Sequence, residues 1–170
     1  MEKNFVEEMR ELLKKQLSEF ELAKKRQQHD AKIVSEEGRK KWLELKDRLK
    51  RDIEVINDGL PEPLLSYSEN ADNELSLKHE LSDRDSDMRV AFDPASVVIT
   101  YEGNKGKGEF RPRVHGEALE YMWDETTPCD GARRTRKISF DSDEPPVPTG
   151  RMSEIVLRCV VMSASSPPTS

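Results

Sequence analysis

Asn57-Asp58-Gly59-Leu60-Pro61-Glu62-Pro63 divides this chain into two unlike halves, and its reading decides the fold. Two prolines so close together cannot continue a helix, and the Asn and Gly before them tolerate the left-handed exit with which many helices end. Upstream, residues 2 to 58 are densely charged and contain no proline. Downstream, turn residues recur every few positions and the apolar residues alternate.

The upstream half carries the helical period. Val6, Met9, Leu13, Leu17 and Phe20 follow one another at three- and four-residue steps, and Trp42, Leu45, Leu49, Ile53 and Ile56 repeat the pattern; residues so spaced lie on one helix face. The repeated four-residue steps resemble an eleven-residue repeat more than a strict heptad, which disfavours a tight left-handed coiled coil. From Lys24 to Asp30 the apolar cover vanishes. Ser35, followed by Glu36 and Glu37, has the form of an N-cap with acids in the first turn, although Gly38 stands where a capping box needs Glu or Gln. These signals favour an αα-hairpin over one long helix. A continuous helix over this span would extend roughly 85 Å at 1.5 Å per residue, further than a small sheet can cover, and would call for a partner chain.

Beyond the junction a period of two replaces the helical one. Leu75, Leu77 and Leu81 share a face around His79, Val90 pairs with Phe92, Val97 with Ile99 and Tyr101, and Leu119 with Tyr121 and Trp123. Such runs predict half-buried strands. The short turns at Asp93-Pro94 and at Gly103-Asn104-Lys105-Gly106 favour antiparallel hairpins, because a parallel pair needs a longer crossover. Ile138 with Phe140, and Ile155 with Leu157, Cys159 and Val161, predict two further strands; Val156, Val160 and Met162 make the last one apolar on both faces. The expected architecture is α+β. A helical segment occupies 1–58, a linker 59–74, an antiparallel β domain of about six or seven strands 75–162, and a Ser/Pro tail 163–170.

Charge separates the halves as well. Residues 1–58 hold 15 Lys+Arg against 14 Asp+Glu, and the remainder 13 against 20, giving nets of +1 and −7. Neither half has the positive excess by which proteins neutralise phosphates, so nucleic acid is a disfavoured partner. The N-terminus turns amphipathic at once and has neither a signal-peptide core nor a membrane-spanning run, which predicts a cytoplasmic protein without membrane contact. Cys129 and Cys159 lack metal or redox spacing and read as reduced, structural or surface residues.

Motifs with chemical content each meet a plainer explanation. Gly103 to Gly108 is rich in glycine like a phosphate-binding loop, but no Ser or Thr follows Lys107 and a strand comes next; a hairpin turn accounts for it. Asp83, Asp85 and Asp87 alternate like the start of a calcium loop, yet Met88 and Pro94 occupy the positions that need Gly and Glu. His29, His79 and His115 lie in three different elements. No catalytic residue, metal site or cofactor is assigned, and a non-enzymatic role is favoured.

Two surfaces remain as binding candidates. The first is the stripe Trp42, Leu45, Leu49, Ile53 and Ile56, expected to bury itself in a protein partner or a second copy. The second, weaker one is basic: Arg111 and Arg113 on one strand face, with Arg133, Arg134, Arg136 and Lys137 before Ile138, would form an anion-binding patch if the strands are neighbours. Cross-strand pairing with the many Glu and Asp is the favoured account of those cations. The leading expectation is an interaction or assembly protein acting through its helical segment; a ligand- or nucleic-acid-binding module using the basic patch stands second, and an enzyme with a site invisible in sequence third.

Overall fold

The computed structural model describes residues 2–81, 87–104, 106–129 and 145–163. Helix α1 runs unbroken over Glu2–Asp58. Six strands follow, β1 (Leu65–Ala71), β2 (Glu74–His79), β3 (Met88–Phe92), β4 (Ile99–Glu102), β5 (Lys107–His115) and β6 (Ala118–Thr127), and helix α2 (Thr149–Ser163) closes the order. Each strand pairs antiparallel with the next, so sheet order equals chain order. The α+β class and the antiparallel sheet agree with the sequence pattern.

The favoured hairpin is not present. Residues 24–35 are mostly Lys, Arg, Gln and Ala, all compatible with a helix interior, and without proline nothing there stops propagation. Ser35 is an exposed residue within α1, not its cap. Gly38 serves packing instead of capping, for it is buried and a Cβ at its position would overlap Val97 Cγ1. Glycine thus lets the helix backbone seat directly on the β3–β4 turn, where Val97 itself has a φ of 62°.

From Gly38 onward α1 becomes part of the core. Trp42, Leu45, Leu49 and Ile53 are buried with Leu75, Leu77, Val90, Ile99, Tyr101 and Phe110 in one cluster. Trp42 stacks on Phe92 at 5.8 Å between ring centroids, and its Nε1 donates to the Asp72 carbonyl at 2.9 Å. Lys46 Nζ donates to the same oxygen at 3.2 Å. Lys50 pairs with Glu69 of β1; the hydrogen bond to that carboxylate raises the Lys50 pKa against the opposing effect of burial, and lowers that of Glu69. Burial alternates along β2, β3 and β4, so the sheet covers one face with helix and leaves the other to solvent.

The junction works differently from a left-handed cap. Neither Asn57 nor Gly59 has a positive φ. Instead Asn57 Oδ1 accepts from the Leu64 and Leu65 amides, each at 3.1 Å, and its Nδ2 donates to the Leu65 carbonyl at 2.8 Å. One side chain fastens the helix end to β1, an edge strand lying within the stretch that reads as linker. Leu81 also departs from expectation: β2 ends at His79, and Leu81 beyond it is exposed.

The run Ile155 to Val161 is helix, not strand. Met152, Ile155, Val156, Cys159 and Val160 are buried at a three- and four-residue rhythm, with Leu157 and Ser153 buried beside them, and a run apolar on every side suits a covered helix as well as a covered strand. α2 lies against α1 through Ser153, whose hydroxyl donates to Asp52 Oδ2 at 2.7 Å. Arg48 Nε reaches the same carboxylate at 3.0 Å. Cys159 is disulfide-bonded to Cys129, with Cα atoms 5.2 Å apart, so the two cysteines are a covalent clasp and not separate thiols. The strand expected at Ile138 and Phe140 lies outside the described residues.

Candidate functional site

The two apolar stripes of α1 have opposite fates. Trp42, Leu45, Leu49 and Ile53 are already covered by the chain's own sheet and α2, and only Ile56 stays exposed, at 40 %. The groove expected from a partner is therefore supplied internally, and those four side chains have no face left to offer. The first stripe has no such cover. Every side chain from Lys3 to His29 is exposed, including Phe5, Val6, Met9, Leu12, Leu13, Leu17, Phe20 and Leu22.

This arm of α1 extends roughly 40 Å, at 1.5 Å per residue, before the helix reaches the core. Val6, Met9, Leu13, Leu17 and Phe20 fall within about 40° of Leu13 around the helix axis at 100° per residue, so they form one ridge. Their exposure runs from 37 % at Met9 to 67 % at Phe20. Charge along the arm is polarised: residues 2–11 hold four acids and two bases, and residues 12–26 hold five bases and two acids. Lys14 and Glu11 form an i,i+3 pair at 3.4 Å. A helix of this length gains most of its stability from packing of its apolar face. Among the described residues, none beyond α1 supplies it here.

The basic residues divide between paired positions and positions outside the described residues. Arg111 pairs with Glu109, its neighbour but one on β5, and Arg113 with Glu120 across the β5–β6 ladder at 3.2 Å. Arg113 thus has a cross-strand acid partner, whereas the partner of Arg111 lies on its own strand. Arg133, Arg134, Arg136 and Lys137 lie outside the described residues, as do Asp83 and Asp85. The glycine-rich stretch at Gly103 is the turn between β4 and β5, closed by a hydrogen bond from the Gly103 amide to the Gly106 carbonyl at 2.9 Å.

The histidines do not converge. His29 is on the arm, His79 is buried on β2 with Nδ1 accepting from the Leu81 amide at 3.1 Å, and His115 sits at the exposed end of β5, 3.6 Å from Glu120. Among the described residues, no group of three His, Cys, Asp or Glu could hold a metal ion. A groove of about 830 Å³ opens between α1, α2 and the edge of the sheet. Its charges are largely engaged with one another, through Arg48–Asp52, Arg151–Glu154 and Arg158–Glu154. No helix among the described residues is long and apolar enough to cross a membrane.

Comparison with family models, with curated proteins and with solved structures finds no match to this chain. The geometry of the arm is what bears on function. Sequence spacing identified both stripes, but not which one the sheet would cover; Gly38, a small residue at the point of closest approach, was the available signal for where packing begins.

Proposed function

We propose that this protein is a non-enzymatic assembly protein whose N-terminal helical arm mediates association. One observation carries the reading: from Lys3 to His29 α1 packs against none of the other described elements while presenting eight large apolar side chains. Contiguous exposed apolar surface of this kind marks interaction sites on soluble proteins, and an amphipathic helix laid against an apolar partner is a recurrent recognition mode. The sheet domain serves as the anchor that fixes the arm's base and direction.

The double substitution Leu13→Asp with Leu17→Asp tests it. Light scattering and partner capture should both show loss of association, while the thermal unfolding of the sheet domain stays unchanged. Unchanged solution mass together with an unchanged partner profile in the folded variant would overturn the reading. A cytoplasmic setting, expected from the N-terminal sequence, requires the Cys129 and Cys159 thiols to stay reduced, whereas their disulfide suits an oxidising compartment. Thiol alkylation of protein taken directly from the source cell distinguishes the two.

A further inference from the structure

Resting on that assembly reading, we infer that the arm's occupant is the same arm of a second copy, laid antiparallel and crossing at Leu13. The apolar ridge is symmetric about that residue. Its steps, from Val6 to Met9, Leu13, Leu17 and Phe20, run three, four, four and three residues, so reversing the helix about Leu13 maps the ridge onto itself. A two-fold pair then places Val6 against Phe20 of the other copy, Met9 against Leu17, and Leu13 against Leu13. This is the self-complementarity that a closed two-fold interface requires, in which residue i meets j and j meets i.

Charge selects the same direction. The acidic stretch 2–11, net −2, lies along the basic stretch 12–26, net +3, of the other copy. A parallel pair would set acid against acid and base against base. At 100° per residue, Lys3 and Glu21 fall on one flank of the ridge, within a turn of each other across the pair, while Phe5, Leu12 and Ala23 widen the apolar face on the opposite flank. Arg10 and Lys14 share the first flank nearer the crossing and oppose the pairing; Lys14 is partly compensated by Glu11 at 3.4 Å.

Length agrees as well. In this register the first residues of one arm reach the level of Lys24 on the other, short of Ile33, where α1 begins to pack against the core. The two sheet domains sit at opposite ends of the paired arms and do not collide. The eleven-residue relations of Val6 to Leu17 and Met9 to Phe20 keep the ridge straight, which suits two nearly uncoiled helices.

Single-cysteine crosslinking tests the arrangement in the full-length protein, whose native cysteines are both held in the disulfide. With a short thiol-specific crosslinker, Leu13→Cys should give a covalent dimer, Val6→Cys alone should not, and a mixture of Val6→Cys with Phe20→Cys should. In the antiparallel pair the two Val6 positions are separated by roughly 21 Å along the axis, fourteen residues at 1.5 Å each. Crosslinking of Val6→Cys to itself as efficiently as Leu13→Cys would mean a parallel pair; this inference then fails and the assembly reading survives. Purified protein that stays monomeric yet captures a partner through an arm that Leu13→Asp disables also overturns the second copy and leaves assembly standing. A monomer with no arm-dependent partner overturns both. Unchanged thermal unfolding of each cysteine variant excludes misfolding as the cause of a negative result.

Discussion

Gly38 and Val97 form the tightest joint between α1 and the sheet. The alanine methyl in Gly38→Ala would occupy the volume of Val97 Cγ1, so overpacking, typically about 1–3 kcal/mol, competes with the ~1 kcal/mol gained from the better helix former. Because Val97 is itself pinned at a φ of 62° and cannot withdraw easily, Gly38→Ala should lower stability in urea denaturation, and adding Val97→Ala should recover part of the loss. A stabilised Gly38→Ala would show that the helix does not seat there. Two buried phenols give a second test at this scale. Burial pushes the Tyr101 pKa up to about 12 and that of Tyr121 further in the same direction. An unfolded tyrosine ionises near ~10, so the folded protein holds these protons longer; stability is full below that pH and is lost as pH rises towards the folded values. Denaturation midpoints should accordingly hold steady to pH ~10 and fall beyond it, and Tyr101→Phe should soften the fall.

Among the elements, α2 is the one the covalent clasp secures. The disulfide closes a loop with a sequence separation of 30, which in the chain-entropy treatment corresponds to about 3.5 kcal/mol. Cys159→Ser, or reduction, should lower unfolding stability by an amount of that order, with α2 the first segment to exchange its amides. Element types were legible to very different degrees. The ridge residues of α1 and the alternation at Val90–Phe92 and Leu119–Tyr121 announced themselves, because amphipathic elements carry their own period. Strand β1 did not: Leu65 is its only buried residue and the rest is Ser, Glu, Asn and Ala around Tyr67, the composition of an edge. α2 reads as a strand because apolar residues on every side erase the distinction between periods of two and 3.6. The cysteine pairing was not legible at all, since two positions thirty apart meet only once α2 has folded back. For the candidate site, the arm's ridge was visible while its freedom was not, because that depends on where the sheet stops.

At the scale of the whole molecule, the first half of α1 shares no packing with the other described elements in a single copy. Removing residues 1–29 deletes side chains that are all exposed where described, so the truncated chain should melt within a few degrees of the full one when both are dilute. If the arms pair, the full-length protein alone should gain stability with concentration, as association linked to folding requires. A truncation that collapses the domain would instead show that the arm contributes to the core.

The nearest-neighbour order of the sheet also dictates a sequence of events during synthesis. Each strand finds its partner in the residue run just made, so the hairpins can close over short loops as the chain emerges. The stripe from Trp42 to Ile53 enjoys no such immediacy. It is made first, yet its aromatic partner Phe92 arrives some fifty residues later, and the Ser153 hydroxyl that reaches Asp52 comes 101 residues after it. Until then α1 holds two sticky ridges instead of one, and the nascent chain depends on its dense charge to stay apart from its neighbours.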